Sequence, residues 1–290
     1  MMTGQRKTAA AGAVRDIEVR AADGLMLCGR WWRRAEPRGV VVITHGFGEH
    51  GGTYRNAAES LGSALDVDVV AVDLRGHGRS PGRRGVVRHY EELTDDLSCA
   101  LEWAGKNRPD LPRFLLGHSN GGQVALRVAL ERRVTLDGLV ISNPALRIAE
   151  PIPPHKLRLG RFLLRYAPWV TLRTALRVER LTRDPEKQRE MRADRLRHER
   201  MSAPLFFGMV QGGQMLIDRA GEIRSPIVLL VGGQDPVVDP AAARDLYDRL
   251  GSEDKTLLLY PKMLHEPLNE VGREQVLDDL ARWIEPRLPG

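Results

Sequence analysis

A serine flanked by glycines, where a strand meets a helix, constrains this chain more than any other feature. The apolar run Phe114–Leu116 leads into Gly117–Gly122 (Gly-His-Ser-Asn-Gly-Gly), and a helix-forming run over 123–130 follows at once. A hydroxyl pushed out at so sharp a turn sits on strained backbone, and a side chain on either neighbour would collide with the strand or the helix. The glycines therefore predict a nucleophile elbow that exposes the Ser119 hydroxyl at the end of a buried strand.

Short apolar runs alternate with helical patterns along most of the chain, which indicates the α/β class. From Val40 onward most runs are continuous Val/Ile/Leu stretches, typical of parallel strands covered on both faces. The first two runs predict an antiparallel entry around a turn at 22–24. We therefore expect a mostly parallel eight-stranded sheet flanked by helices. The predicted strands are Asp16–Arg20, Leu25–Arg33, Val40–Thr44, Val67–Val72, Arg113–Leu116, Leu139–Ser142, Ile227–Val231 and Lys255–Tyr260.

The alternation breaks between residues 146 and 222. This stretch begins with prolines at 151, 153 and 154, continues with an amphipathic run, and contains no convincing strand. The 290 residues, 42% of them hydrophobic, are enough for one large α/β domain with an insertion. We therefore predict a core formed by 1–145 and 223–290, interrupted by a helical cap over 146–222.

The positive charge of the chain is concentrated in the predicted cap. The formal charge is +6, and residues 147–200 carry thirteen Arg and two Lys against seven acids. No zinc-finger spacing, aromatic RNA-binding motif or long basic tail occurs, so we expect no nucleic-acid partner. Two interpretations stay open: a solvated arginine-rich surface, or a face that docks transiently on anionic membranes through Trp169, Phe162 and Leu163.

Location and cofactors are predicted from what the sequence lacks. No apolar run reaches the roughly 18 residues that cross a bilayer, and the stretch Met1–Val14 has no apolar signal-peptide core. A cytoplasmic protein is expected, with peripheral membrane contact as a further hypothesis. The spacing of the two cysteines favours neither a metal site nor a disulfide framework, and we expect no cofactor. The oligomeric state has no signature in the sequence.

A serine nucleophile needs a base within hydrogen-bond reach and a third group that orients the base. Asp235 and His265 lie in the loops that follow the last two predicted strands, and open α/β sheets place functional groups in such loops. One helix and one strand separate the two residues, which returns the chain to the same edge of the sheet. The order Ser119, Asp235, His265 is also the order of triads built on a nucleophile elbow.

Other acids and histidines fit these roles less well. Asp239 precedes Pro240 and an Ala-rich helix, which favours a helix N-cap. Asp73 follows a strand but precedes the serine in sequence, the wrong order for the triad acid. Four histidines in glycine-rich loops are expected to pack or to bond backbone: His45, His50, His77 and His118.

The reaction also needs donors aimed at the oxygen that becomes negative in the tetrahedral intermediate. One is expected to be the backbone N–H of Asn120, directly after the nucleophile. The other is expected to be the backbone N–H of Phe47, in the loop after the strand Val40–Thr44. Because backbone groups donate, the side chains at both positions can vary.

These motifs together resemble the monoacylglycerol lipase and lysophospholipase branch of the α/β-hydrolases. The resemblance runs from Val40 to Trp283 and rests on His45–Tyr54, Asp73–Ser80, Gly117–Gly122, Asp235 and His265. It implies an α/β-hydrolase fold with an inserted cap and a serine ester hydrolase that acts without metal. In monoacylglycerol lipases the groups matching Glu49 and His118 lie near the glycerol end of the substrate, which implies the same place for these two residues.

The chain departs from the family pattern at two positions. Asn120 stands where the family usually has Met, which leaves a backbone donor intact. Thr53 stands before Tyr54, where the family commonly has Arg, and this removes a fork-shaped cation from the head-group end of the site.

The sequence therefore predicts a serine hydrolase that cleaves a small lipid-like ester through an acyl-enzyme, the substrate being a monoacylglycerol or a lysophospholipid. One alternative is a generalist short-chain carboxylesterase or thioesterase. A second is a catalytically silent ligand-binding protein on the same fold.

Overall fold

An eight-stranded sheet forms the centre of the molecule. The computed structural model describes residues 13–131, 135–174 and 176–290, so residues 1–12 of the N-terminal stretch considered above lie outside it. The sheet contains β1 (Val14–Arg20), β2 (Met26–Trp32), β3 (Gly39–Thr44), β4 (Val67–Val72), β5 (Arg113–His118), β6 (Gly138–Ser142), β9 (Ile227–Gly232) and β10 (Lys255–Tyr260). A separate pair contains β7 (Thr171–Arg173) and β8 (Arg200–Ser202).

The strand order in the sheet is β1-β2-β4-β3-β5-β6-β9-β10. β2 pairs antiparallel with β1 and β4, and every other neighbouring pair is parallel. The predicted sheet and its antiparallel entry are confirmed. Because β3, β5, β6, β9 and β10 run in one direction, the loops after them meet at one edge of the sheet.

Helices cover both faces of the sheet. They are α1 (Arg55–Leu65), α2 (Glu91–Asn107), α3 (Asn120–Leu130), α4 (Pro154–Tyr166), α5 (Pro185–Ala193), α6 (Ala203–Asp218), α7 (Pro240–Arg249) and α8 (Arg273–Ile284). Successive residues of β3 alternate between two apolar cores: Val40 and Val42 pack with α2, α3, α6 and α7, whereas Val41 and Ile43 pack with α1 and α8. Strand side chains alternate between faces, so each face needs its own helical cover. None of these described helices combines the length and the apolar character that crossing a bilayer requires.

The segment between β6 and β9 differs from the alternating core. It contains α4, α5 and α6, as the helical prediction expects, but the prediction of no strand there is wrong, because β7 and β8 pair antiparallel. Two strands of three residues each are too short to give a periodic signal in the sequence. The function of this inserted segment as a cap stays a prediction.

Backbone hydrogen bonds join the inserted segment to two loops of the core. The N–H of His198 donates to the carbonyl of Gly48 at 3.0 Å, and the N–H of Ser202 donates to the carbonyl of Gly85 at 2.9 Å. Gly48 belongs to the loop that carries Phe47. The inserted segment is therefore attached to the loop that carries one of the two predicted oxyanion donors.

Candidate active site

Ser119 lies between β5 and α3 in a backbone conformation that few residues adopt. Its φ of 52° and ψ of −120° fall outside the regions that side chains normally favour. Its N–H donates to Ser142 at 2.9 Å, and its carbonyl accepts from Ala145 at 3.0 Å. The surrounding chain thus holds the strained turn in place, which is the expected context of a functional residue.

The glycines of the elbow are required by close backbone contacts. A Cβ on Gly121 would lie 2.4 Å from the carbonyl oxygens of Thr44 and His45, and one on Gly117 would lie 2.7 Å from the oxygen of Gly121. Both distances are too short for any side chain. The first residues of α3 can therefore lie against the loop after β3 only because glycine occupies position 121.

The three residues predicted as nucleophile, base and orienting acid lie in one hydrogen-bonded chain. The Ser119 Oγ atom is 2.9 Å from His265 Nε2, and His265 Nδ1 is 2.7 Å from Asp235 Oδ2. All three side chains are buried. In this geometry Nε2 of the imidazole can accept the hydroxyl proton. The Asp235 carboxylate holds Nδ1 and so fixes the orientation of the ring.

The electrostatics suit a base that becomes a cation during the reaction. Burial alone would lower the pKa of His265, but the charge and hydrogen bond of Asp235 outweigh it and raise that pKa above 6.5. Asp235 Oδ1 accepts from the backbone N–H groups of Val237 and Val238 at 2.7 and 3.1 Å. These two bonds fix the carboxylate, so Oδ2 stays directed at the imidazole.

Asn143 is a residue of the site that the sequence analysis missed. It follows β6 and has a φ of 40°, a left-handed conformation that asparagine tolerates better than most residues. Its Nδ2 donates to Asp235 Oδ2 at 2.8 Å and to the His265 carbonyl at 2.9 Å, and its Oδ1 accepts from Gly232 at 2.8 Å. One amide therefore holds the loops of both triad partners. The one sequence feature that could have identified Asn143 as a site residue is its position directly after a buried strand.

Of the two predicted oxyanion donors, Asn120 is the first residue of α3 and Phe47 lies in the loop after β3. The backbone N–H groups of Phe47 and Asn120 form no hydrogen bond with any of the described residues. The side-chain oxygen of Asn120 accepts from the Tyr90 hydroxyl at 2.7 Å. The role of the two backbone N–H groups in binding an oxyanion stays a prediction.

The rival acids have structural roles. Asp239 caps α7, as predicted, by accepting from the N–H of Ala241 at 2.9 Å. Asp73 accepts from the N–H groups of Gly51 and Arg79 at 2.7 and 2.8 Å.

The loop histidines differ in their partners. His45 and His77 form hydrogen bonds with backbone groups. His50 also bonds backbone, because its Nδ1 accepts from the N–H of Gly52 at 3.1 Å. Its Nε2 in addition lies 2.7 Å from Asp194 Oδ2 of the inserted segment.

Glu49 and His118 belong to a buried cluster that borders the triad. We call this the carboxylate cluster; it contains Glu49, Tyr54, His118, Arg197 and Glu266. Glu49 accepts from the Tyr54 hydroxyl at 2.7 Å, and the His118 ring lies 4.9 Å from the His265 ring. An Arg197 nitrogen lies 3.6 Å from Glu49 and 3.4 Å from Glu266. Arg197 and Glu266 were not predicted, because no local pattern links residues so far apart in the chain.

The pKa values of the two carboxyl groups in the cluster are shifted in opposite directions. Burial alone would raise the pKa of Glu49, but the charge of Arg197 outweighs it and holds that pKa well below its ordinary value. Burial, together with the charge of Glu49, raises the pKa of Glu266 to about 8. Burial also lowers the pKa of His118 to about 4, so its ring is neutral.

Three side chains of the carboxylate cluster lie close enough together to share a cation. Glu49, His118 and Glu266 each place one ligand atom within 4.8 Å of the others, a spacing that a metal ion could use. Arg197 already lies against both carboxyl groups and supplies the positive charge that an ion would bring. The cluster is therefore built around a guanidinium group.

The chain is similar over most of its length to known hydrolases and lipases. Residues 35–272 match the Hydrolase_4 family, described as serine aminopeptidase, S33. A monoacylglycerol lipase of Mycolicibacterium smegmatis is 34% identical over 259 residues, which cover 89% of this chain and 92% of the relative. A monoglyceride lipase of Mus musculus is 32% identical over 279 residues, covering 92% and 89%. The crystal structure of the Paleococcus ferrophilus monoacylglycerol lipase superposes with a TM-score of 0.82 at 31% identity, covering 90% of this chain and 99% of that one.

Proposed function

Because the chain belongs to the Hydrolase_4 family of α/β-hydrolases, in its monoacylglycerol lipase-like branch, we propose that it cleaves monoacylglycerols or lysophospholipids through Ser119, His265 and Asp235. The chain is a serine ester hydrolase, and its relatives support lipid esters as the substrates. What is proposed is the identity of the catalytic residues, the covalent intermediate and the nature of the monoester.

The proposed reaction proceeds in two halves. Ser119 attacks the ester carbonyl while His265 accepts its proton, and the backbone N–H groups of Phe47 and Asn120 stabilise the oxyanion. His265 then protonates the leaving alcohol, which leaves an acyl-enzyme on Ser119. Water attacks this ester by the same steps, and the fatty acid departs. Asp235 orients the imidazole and stabilises its charged form throughout.

The observation that carries the proposal is the continuous hydrogen-bond chain from Ser119 through His265 to Asp235, with separations of 2.9 and 2.7 Å. A serine hydroxyl is a weak nucleophile at neutral pH unless a base lies within this distance. A serine with only a structural role at the start of a helix does not require a buried histidine and aspartate within hydrogen-bond distance.

The acyl chain supplies most of the binding energy in this proposal. Burial of one CH₂ group contributes about 0.8 kcal/mol, so a groove for ten methylenes would contribute roughly 8 kcal/mol before other costs. The inserted segment is the part of the chain proposed to form that groove as a cap. The preferred acyl length should therefore change when this segment is altered.

Labelling with a fluorophosphonate tests the nucleophile. The parent protein is expected to be labelled at Ser119, and Ser119→Ala is expected to lose both labelling and hydrolysis of p-nitrophenyl esters while its melting temperature stays unchanged. Ser63→Ala, at an exposed position of α1, is the matched control and should behave like the parent. Absence of labelling in the parent would favour the catalytically silent alternative.

A series of esters and thioesters from acetyl to palmitoyl separates the remaining alternatives. A maximum of kcat/KM at long acyl chains supports a lipid monoester, because each added methylene is buried in the cap. A maximum at acetyl would favour the generalist esterase, and a preference for thioesters would favour the thioesterase.

Docking on an anionic membrane surface is a further part of the proposal. Among the described residues, eleven large hydrophobic side chains are exposed, and six of them lie between residues 159 and 172. Phe162 and Trp169 are 58% and 53% exposed, and the cations at 156, 158, 161 and 165 of the same segment are exposed as well. Apolar and cationic groups on one face are what an anionic lipid surface binds. The prediction that Leu163 takes part is wrong, because Leu163 is the buried side chain of α4.

A further inference from the structure

Asn120, the residue after the proposed nucleophile, is held through its side chain as well as by the helix that it begins. Its Oδ1 accepts from the Tyr90 hydroxyl at 2.7 Å, and both residues are buried. Burial raises the pKa of the Tyr90 hydroxyl, so the phenol keeps its proton and is the donor. Ser119 stands at the N-cap of α3, but its hydroxyl is directed to His265 rather than to the helix. The Tyr90 hydroxyl therefore anchors the first residue of α3.

Tyr90 is itself packed between α3 and α6. The guanidinium carbon of Arg127, on α3, lies 4.2 Å from the centre of the Tyr90 ring, a position in which the ring face attracts the cation. Arg127 Nη2 also donates to the carbonyl of Gly208, on α6, at 2.8 Å. Gly208 lies so close to the ring that a Cβ on it would be 2.5 Å from the Cβ of Tyr90. Contacts with both helices thus fix the ring, and with it the hydroxyl.

The location of the Asn120 backbone N–H matters for the proposed reaction. An oxyanion donor is effective when it lies about 2.7 to 3.1 Å from the place that the oxyanion will occupy. A misplacement of about 1 Å at a reacting centre can lower the rate about 100-fold. Gly121 and Gly122 follow Asn120 and have no side chains that could form hydrogen bonds. The Asn120 side chain is therefore the group at the start of α3 through which neighbouring residues can fix this donor.

We infer that Tyr90 is a positioning residue for the oxyanion hole, because its hydrogen bond to the Asn120 side chain fixes the backbone N–H that faces the tetrahedral intermediate. The inference rests on the proposed ester hydrolysis by Ser119. It also gives a role to the amide at position 120, where the family resemblance leads one to expect methionine, since a thioether is only a weak acceptor. Because Tyr90 acts through Asn120, its hydroxyl should affect stabilisation of the oxyanion and not binding of the ester.

Tyr90→Phe tests the inference, because it removes the hydroxyl and keeps the ring that packs against Arg127 and Gly208. We expect kcat for a p-nitrophenyl ester to fall about 10-fold, since the buried Asn120 oxygen loses its donor and the start of α3 is no longer fixed. KM should stay within about twofold of the parent value, as expected when an interaction of the transition state alone is weakened.

A trifluoromethyl ketone with the same alkyl chain separates positioning from a general loss of structure. The Ser119 oxygen adds to its carbonyl, the hydroxyl proton passes to His265, and the product carries an oxyanion like that of the intermediate. In Tyr90→Phe the inhibition constant of this ketone should rise by the same factor as kcat falls. The control Tyr247→Phe removes a hydroxyl on α7 that donates to the Lys255 carbonyl at 3.3 Å, and it should change neither quantity.

Asn120→Met shows whether the two side chains act as a pair. If Tyr90 acts only through the Asn120 side chain, Tyr90→Phe should change kcat by no more than about twofold when Asn120→Met is already present. The combined loss would then be about fivefold or more smaller than the product of the two single losses. Circular dichroism and the melting temperature establish that each variant is folded.

Three outcomes would overturn the inference. The first is an unchanged kcat in Tyr90→Phe. The second is a lower kcat with undiminished binding of the trifluoromethyl ketone, which would place the effect outside the oxyanion hole. The third is an equal loss from Tyr90→Phe with and without Asn120→Met, which would show that Tyr90 acts independently of Asn120. A parent protein that neither cleaves the ester nor reacts with a fluorophosphonate would instead count against the proposed function.

Discussion

The side-chain amide of Asn143 donates to Asp235 Oδ2 at 2.8 Å, and the same oxygen lies 2.7 Å from His265 Nδ1. The orientation of the base therefore depends on a residue that does not itself move a proton. Neutral donors of this kind fix a carboxylate without changing its charge, so they preserve the field that stabilises the imidazolium ion.

Loss of the Asn143 amide should lower activity in a folded protein. We expect Asn143→Gly, which accepts the left-handed backbone without strain, to reduce kcat/KM about 10- to 100-fold, since one hydrogen bond to a charged group is worth about 1.5 to 3 kcal/mol. The measurement is the hydrolysis of a p-nitrophenyl ester, with circular dichroism to establish folding. Unchanged turnover would show that the Val237 and Val238 amides suffice to hold Asp235.

The pH dependence of activity should follow the ionisation of His265. The imidazole must be neutral to accept the Ser119 proton, so activity is lost as the pH falls through its pKa. Because Asp235 raises that pKa above 6.5, the acid limb of kcat/KM should have its midpoint above pH 6.5. Asp235→Asn should move the midpoint downward and lower kcat by as much as about 10⁴-fold. A pH–rate profile of both proteins checks this, and a midpoint below 6 in the parent would contradict it.

The elbow should not tolerate a methyl group at Gly121. In Gly121→Ala the new Cβ would press on the carbonyls of Thr44 and His45 and displace the loop that carries Phe47. Loss of one oxyanion donor lowers kcat by about 10² to 10³-fold, and we expect a loss of that size or a failure to fold. Gly221→Ala is the control, because its Cβ would come no closer than 3.7 Å to its neighbours. Active-site titration with a fluorophosphonate measures both variants.

Stability should depend on pH through Glu266. Its pKa is about 8 in the folded protein against 4.5 as the ordinary value, so the folded state holds a proton that the unfolded state releases. The stability from this proton is fully present below about pH 4.5 and is lost as the pH rises through about 8. The side chain of Glu266→Gln stays neutral at every pH. The free energy of unfolding of this variant should therefore rise relative to that of the parent between about pH 4.5 and 8, and the difference should be constant above pH 8. Urea denaturation between pH 5 and 9 measures the difference, with Glu59→Gln as an exposed control. If the two free energies of unfolding differ by the same amount at every pH from 5 to 9, the pKa of Glu266 is not raised in the folded protein.

Membrane docking should depend on the exposed aromatic residues. We expect Phe162→Ser combined with Trp169→Ser to weaken co-sedimentation with phosphatidylglycerol vesicles at least tenfold, because about 200 Å² of apolar surface is lost from each aromatic side chain. The control Leu259→Ser removes an exposed side chain from β10 and should have little effect. Equal binding to neutral phosphatidylcholine vesicles would exclude the proposed role of anionic lipid.

The sequence predicts the fold well where local patterns reflect burial. Continuous apolar runs identify most strands of the sheet from β3 onward, the turn at 22–24 identifies the antiparallel entry, and the glycines around Ser119 identify the elbow. All three signals depend on residues adjacent in the chain. The short strands β7 and β8 were not predicted, since a strand of three residues is too short to produce a periodic pattern in the sequence. Leu163 was misassigned because an amphipathic pattern does not show which side of α4 packs against α6.

Contacts between distant residues are the other part that sequence reasoning misses. Asn143 joins the loops of Asp235 and His265, and Arg197 reaches Glu49 from another region of the chain. Neither residue has neighbours in sequence that indicate its partners. Both side chains become recognisable only when the sheet and the inserted segment place them beside the triad.

The backbone bond between His198 and Gly48 also limits how this enzyme can be redesigned. A chimera that takes the whole inserted segment from a relative, in order to change acyl-chain preference, would replace the donor at this junction and Arg197 beside it. Exchanging only residues 154–174 would retain the junction and the guanidinium while altering the apolar helix α4. Recombination within these narrower limits should yield enzymes with a new chain-length preference in which the inserted segment is still bonded to the core.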